Sequence, residues 1–182
     1  MKTKKWAKVG NGLDNQVRAL AKSPDGKLVA GGQFTGGVAT FSGLAWVVVG
    51  GGVTESGLPA IVRVLKYGAD GTLYMGGDFD EVGGSTAVRD IAGYRDGVWN
   101  AMAGGFDATY VQSNGTTFQS MGVYDIRVRT NTVYTGGDFD ATDGRTVLNL
   151  QGLRTRIIVD NLLQFDCEAT GLAWKRDDSI RT

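Results

Sequence analysis

The chain contains no histidine. That removes the commonest general base, the usual nitrogen ligand for metals and every Ser-His or Cys-His nucleophile pair. Cys167 is the single cysteine, so no intrachain disulfide can form. A buried free thiol is the expected state, with an intermolecular bridge as the alternative. Net charge is also missing: 19 basic residues balance 19 acidic ones, and no bulk charge points to nucleic acid or to an acidic membrane. No stretch approaches the ~20 apolar residues of a membrane span. The lysines of "MKTKKWAKVGNGLDN" have no apolar run behind them, so no signal peptide is expected. What remains is 182 residues, 42% of them hydrophobic, enough for an ordinary core in one domain or two small ones.

Two prolines stand against 29 glycines, roughly twice the usual share of glycine. The glycines come in pairs flanked by alternating apolar residues, as in the turns and bulges of a β fold. They also recur. "LYMGGDFD" at 73–80 is nearly copied by "VYTGGDFD" at 133–140 and more loosely by "LVAGGQFT" at 28–35. A motif written three times describes architecture. "VRALAKSPDGKLVAGGQF" (17–34) lies over "VRVLKYGADGTLYMGGDF" (62–79) at an offset of 45 without a gap. A third copy, "DIRVRTNTVYTGGDF" (125–139), fits with a shorter turn. Period-2 alternation before Asp25-Gly26 and Asp70-Gly71 predicts a hairpin in each copy. Thr130-Asn131 is expected to turn the third. The pairs Gly76-Gly77 and Gly136-Gly137 are expected to let backbones approach closely.

Tryptophan marks the other half of the repeat. Trp6, Trp46, Trp99 and Trp174 end "TKKW", "SGLAW", "DGVW" and "TGLAW". "AKVGNG", "VVVGGG" and "NAMAGG" follow the first three, and Phe41 and Tyr94 stand five residues before Trp46 and Trp99. Each unit therefore reads as strand, Asp-Gly turn, strand, Gly-Gly, third strand, turn and Trp-bearing strand. This is an all-β fold of antiparallel four-stranded units, propeller-like or an open β stack. About three units are expected, over 17–52, 62–105 and 124–177, with an additional N-terminal strand at Trp6. Trp46 and Trp99 should be buried at equivalent places, and any helix should be confined to about 158–166. Residues 1–145 form the repeat domain. Residues 146–182 are a degenerate last unit or a docking segment.

The order "W…G.G…VRxL…DGxLYxGGDF…GG…IAGYRDGVW" resembles the Trp/Gly-rich, kelch-like repeats of bacteriophage tail and virion proteins. The same style of repeat occurs in fungal cortical polarity markers. The resemblance covers about 6–145 and implies a scaffold. It suggests a structural component of a virion, in the tail, a tail fibre or a head decoration, made in the host cytoplasm and acting in several copies. Its implied partners are itself and other virion proteins. Closed propellers have 4–8 blades, so three units call for assembly with further copies, an open stack with covered edges, or a last segment that docks elsewhere.

Candidate chemistry is sparse. "GGDF" lacks the added acidic residue and the α/β surroundings of a diguanylate cyclase. Asp138, Asp140 and Asp143 in "DFDATDG" are a candidate Ca2+ site. The ordinary use of such carboxylates is to accept turn amides, and that reading is preferred. No other cofactor is expected. The insertion "FDATYVQSNGTTFQSMGVY" (106–124) has the aromatic and small polar composition of a binding loop. Tyr110, Gln112, Asn114, Phe118 and Tyr124 are its candidate contacts for a receptor or glycan. A plain hairpin turning at 113–115 is the alternative. Arg127 and Arg129, and Arg154 and Arg156, alternate on strands as solvated faces or anion grips. No enzyme is expected, although a glycosidase needs only two carboxylates about 5–10 Å apart. The function classes are thus virion structure first, a carbohydrate- or receptor-binding module second and a glycosidase third.

Overall fold

The computed structural model describes residues 5–102, 122–129 and 133–137 with their side chains. It describes 106–107, 109–111, 117–119, 132, 138, 141–142, 145–146, 163–168 and 171–175 as backbone alone. All regular structure among the described residues is β. Unit 1 is an antiparallel meander of β1 (Gln16–Lys22), β2 (Leu28–Gln33), β3 (Val38–Phe41) and β4 (Trp46–Val48). A short hairpin follows, β5 (Val53–Glu55) and β6 (Leu58–Pro59). Unit 2 begins with β7 (Ile61–Tyr67) and β8 (Leu73–Asp78). After an excursion through β9 (Glu81–Val82) and β10 (Thr86–Ala87), it ends with β11 (Ile91–Arg95) and β12 (Val98–Ala101).

The chain then passes through β13 (Phe106–Asp107) and a separate hairpin of β14 (Thr109–Val111) and β15 (Thr117–Gln119). Unit 3 starts with β16 (Gly122–Arg129) and β17 (Thr132–Asp138) and makes the matching excursion, β18 (Ala141–Thr142) and β19 (Arg145–Thr146). It closes with β20 (Leu163–Glu168) and β21 (Gly171–Lys175). The one segment left open to helix, 158–166, is strand at 163–166. Leu163, Phe165 and Cys167 alternate with polar residues, a period that suits a strand between β17 and β21. Residues 158–162 lie outside the described residues. Consecutive units are also tied by small sheets, since β5 pairs with β9 and β13 with β18.

The Asp-Gly turns are three-residue loops. Gly26 donates to Ser23 O at 2.9 Å and Gly71 to Gly68 O at 3.0 Å, with φ of +88° and +84°. That is a type I turn closed by a left-handed glycine. Two-residue turns with both φ positive occur instead at Ser56-Gly57 and Asp96-Gly97. The Thr130-Asn131 turn lies outside the described residues.

Each first strand carries a bulge at the same place. Register shifts between Val17 and Ala19, between Val62 and Val64 and between Val123 and Asp125 place Arg18, Arg63 and Tyr124 at the bulges. The double glycine lies opposite. The second glycine faces the residue before the bulge: Val17↔Gly32, Val62↔Gly77, Val123↔Gly137. A Cβ on Gly32 or Gly77 would run into the carbonyl oxygen of Gln16 or Ile61. The first glycine receives the next unit. A Cβ on Gly31 would stand 2.6 Å from Val62, and one on Gly76 would stand 2.5 Å from Val123.

The hydrophobic core consequently lies between units. Val29, Val38 and Ala19 of unit 1 meet Val62, Leu65, Leu73, Met75 and Ala92 of unit 2. Val64, Tyr74, Ile91 and Met102 meet Val123, Ile126 and Val133 of unit 3. Gly77→Ala is expected to cost about 2–3 kcal/mol, because backbone must move to admit the methyl. Gly136→Ala, whose Cβ would meet no described atom within 4 Å, should be neutral or stabilise by up to about 1 kcal/mol through the unfolded chain. Urea unfolding midpoints of the two variants test the contrast; equal midpoints would remove the close-approach explanation.

Candidate interaction surface

Each unit has a front face, turned toward the preceding unit, and a back face, turned toward the next. The front of unit 2 carries an aromatic pair, Tyr94 and Trp99, with ring centroids 4.7 Å apart and planes tilted by 51°. The pair closes on the glycine turn that leaves unit 1. Trp99 Nε1 donates to Gly50 O at 2.8 Å, and a Cβ on Gly50 would stand 2.5 Å from each ring. Phe41 and Trp46 of unit 1 form the matching pair, 5.4 Å apart at 51°. They close on residues that precede unit 1. Trp46 Nε1 donates to Val9 O at 3.2 Å, and a Cβ on Gly10 would stand 2.8 Å from the Phe41 ring. Gly10 and Gly12 have φ of +57° and +81°, as Gly50 and Gly52 have +54° and +86°.

Segment 6–13 is thus the same turn as 46–53, displaced by 40 residues. "WAKVGNGL" lies over "WVVVGGGV", a match readable from the sequence once Trp6 is set on Trp46. It covers the outer half of the front of unit 1, where Leu13 and Trp46 pack on buried Ala30, Phe34 and Ala39.

Two expectations are corrected here. Trp46 and Trp99 do occupy equivalent places, but they are half-buried. Each sits on a fourth, edge strand, with one ring face on its aromatic partner and the turn. Trp6 is fully exposed and residues 5–9 form no strand, because no described third strand lies alongside to pair with them. Trp174 lies on β21 in register with Phe165, the placement that Trp46 has with Phe41 and Trp99 with Tyr94. The nine-residue spacing hid that third pair in the sequence.

The inner half of the front of unit 1 is open. Val17 is 45% exposed and Leu20 63% exposed. Their counterparts are buried: Val62 and Leu65 in unit 2 at 0% and 2%, Val123 and Ile126 in unit 3 both at 0%. Arg18 and Lys22 flank the open pair on the exposed strand β1. The front of unit 1 is therefore an apolar patch among cations that matches the buried half of the internal junctions.

The carboxylates of the repeat serve the junctions. Asp80 accepts hydrogen bonds from Ser56 N at 2.9 Å and Ser56 Oγ at 3.3 Å. In unit 1 the roles are exchanged: Thr35, at the place of Asp80, donates from N and Oγ1 to Asp14. Asp78 faces Arg63 at 4.0 Å. Asp90 stands where unit 1 has Gly37, at φ +61° against +65°, and accepts Phe79 N at 3.3 Å. Burial pushes the Asp90 carboxyl up to about 7, against the Phe79 amide and with help from Asp78 and Glu55. Burial also raises Glu55 and Asp78 above the usual carboxylate range. Among the described residues no group of three or more side chains is placed to hold a metal ion. Asp138 ends β17; its side chain, and all of Asp140 and Asp143, lie outside the described residues.

Of the candidate binding residues, Tyr110 and Phe118 are register partners in the β14–β15 hairpin. Gln112 and Asn114 lie outside the described residues. Tyr124 is not part of that hairpin. It is the bulge residue of β16, with the Arg63 guanidinium 5.2 Å from its ring centroid. Arg127 and Arg129 are exposed on β16, and Arg127 pairs with Asp125 at 3.2 Å. Arg154 and Arg156 lie outside the described residues. No protein-family model matches the chain, and no curated protein is significantly similar to it.

Trp99→Phe keeps the ring contact and removes the bond to Gly50 O, with an expected loss of about 1 kcal/mol in chemical unfolding. An unchanged midpoint would show that the indole N–H does not hold the turn. The pH dependence carries its own sign. Asp90, with a folded pKa above the unfolded one, keeps a proton that the unfolded chain has released. Stability therefore falls as pH rises from about 4, the ordinary carboxylate value, to about 7. Glu55 and Asp78 act in the same direction. Asp25, held at about 2 by Lys27 and Ser23, acts oppositely, and its contribution is lost only below about 4. The protein should melt higher at pH 5 than at pH 8. Asp90→Asn, which keeps an acceptor for Phe79 N, should remove most of that difference; a variant with the parent's slope would assign it elsewhere.

Proposed function

We propose that the chain is a structural component of a bacteriophage virion, in the tail, a tail fibre or a head decoration, and that it works by assembling in several copies. The open pair Val17 and Leu20 carries this reading, since it is exposed on a face whose two counterparts are buried by a neighbouring unit. Exposed apolar groups that match an internal junction support a further partner. Zero formal net charge supports close packing of many copies, which strong like charge would oppose. The placement in a virion rests on the resemblance of the Trp and Gly-Gly pattern to phage repeats.

A second reading is supported by a different observation. The hairpin of β14 and β15 stands apart from the three units and sets Tyr110 opposite Phe118, within a segment of binding-loop composition. That favours a glycan- or receptor-binding module. Sedimentation of the full chain over a wide concentration range, together with a glycan array, separates the two. The expected result is a concentration-dependent mass of several chains without saturable sugar binding. A single-chain mass throughout, with saturable binding lost in Tyr110→Ala, would reverse the order.

A further inference from the structure

The junctions inside the chain define what a front face accepts. At the first, Val62 and Leu65 of unit 2 lie over Gly31 of unit 1, where an added Cβ would stand 2.6 Å from Val62 and 3.1 Å from Leu65. At the second, Val123 lies over Gly76 in the same way, at 2.5 Å. Both glycines are buried. The third of the series, Gly136, is half-buried, and an added Cβ would meet no described atom within 4 Å. At the other end of the chain, Val17 and Leu20 continue the series of knobs. Among the described residues, unit 1 thus presents knobs without a glycine beneath them, and unit 3 presents the glycine without knobs above it.

Resting on the reading that the chain works by assembly, we propose that copies join head to tail, with Val17 and Leu20 of one copy seated over Gly136 of the next. The contact repeats the two junctions already inside the chain. The bulge residues agree with it. At the second junction the guanidinium of Arg63 meets the ring of Tyr124. Between copies the bulge residues that meet are Arg18 and Tyr124, the same two chemistries. Asp125, exposed beside Tyr124, adds a carboxylate for Arg18. A front-to-front pair would instead bring Arg18 and Lys22 of two copies together and set like charges against each other.

Among the described residues the tail differs from the internal sockets at the exposed Asp125–Arg127 pair, which stands where unit 2 has Val64 and Lys66. A polar pair on this face makes the junction reversible. Head and tail are different surfaces, so the contact closes into a ring or grows into a filament according to the rotation it imposes.

Two variants of the full chain test this. Leu20→Asp spoils the head at an exposed position. Gly136→Leu fills the tail where an added Cβ meets no described atom within 4 Å. Far-UV spectra and melting temperatures should match the parent. Each variant alone should sediment as one chain where the parent is assembled. Mixed in equal amounts they should form two-chain particles and nothing larger, because only one intact junction remains. A second readout uses L20C and G136C, each with C167S. Oxidation of the mixture should link one of each, and oxidation of L20C alone should give no linked pair. If both variants assemble like the parent, the head-to-tail contact is wrong while assembly itself stands. If Leu20→Asp alone disperses the particles, or L20C links to itself, the head meets something other than the tail. A parent that remains single at every concentration would sink the assembly reading and this contact together.

Discussion

A second-strand glycine seated against the carbonyl of a bulged first strand is the contact on which the rest of this molecule depends. The bulge adds a residue to the first strand and increases its local twist. The glycine lets the two backbones come closer than any side chain would allow. Together they sink the end of each unit's hairpin, so that the valine of the next unit can sit on the first glycine of the pair. Because successive units are received this way, two buried clusters are each shared by two units, while Phe34 of unit 1 packs with Ala30, Ala39, Leu13 and Trp46. A single unit has no closed core of its own. Stability in such a chain is a sum over junctions, as in other repeat architectures, and a face without its junction is an unfinished core.

Local signals carried most of the fold into the sequence. Period-2 alternation, Asp-Gly and Gly-Gly are each decided within a few residues, and they located the first two strands of every unit. The offset of 45 between units 1 and 2 holds residue for residue in β1, β2, β7 and β8. It fails beyond Phe79, where unit 2 makes the excursion through β9 and β10 and unit 1 turns at once through Gly36 and Gly37. The ends of those two connections are nevertheless the same. Gly32 N bonds Gly37 O, as Gly77 N bonds Asp90 O. An insertion that leaves its anchor points unchanged is invisible to spacing. So is the third aromatic pair, where Phe165 and Trp174 match by register across β20 and β21. The burial of the tryptophans was overestimated for a related reason. A repeated aromatic reads as core, but on a fourth strand it can cover only what the preceding turn brings to it.

The exchange of Gly37 for Asp90 shows how one backbone requirement admits two chemistries. Both residues occupy the left-handed region, which glycine enters freely and aspartate enters more readily than most residues. In unit 1 the glycine leaves room for Val53, which lies where its Cβ would fall. In unit 2 the aspartate reaches an amide, and its carboxyl lies where unit 3 begins. Gly122 is the residue that makes this tolerable, since a Cβ there would meet the Gly77 carbonyl and stand 3.2 Å from Asp90. Burial is the main cause of the raised Asp90 carboxyl, and that carboxyl lies beside the first residue of β16.

The same view accounts for Asp80 and for its counterpart in unit 1. In "GGDFD" of unit 2 the last carboxylate serves a backbone amide of the preceding turn, and the first faces Arg63. Asp80 holds the Ser56 turn, and in unit 1 the bond is kept with donor and acceptor exchanged between Thr35 and Asp14. A seam between units requires only that one partner donate and the other accept. That unit 1 satisfies it with the polarity reversed means that the constraint acting on Thr35 and Asp80 is the junction. The segment 6–14 follows the same logic: it supplies Gly10 to the aromatic pair, Leu13 to the core and Asp14 to Thr35, the three services that residues 50–56 perform for unit 2. It performs them on the outer half of the front face only, and the inner half, where a first strand's neighbour would lie, is left to Val17 and Leu20.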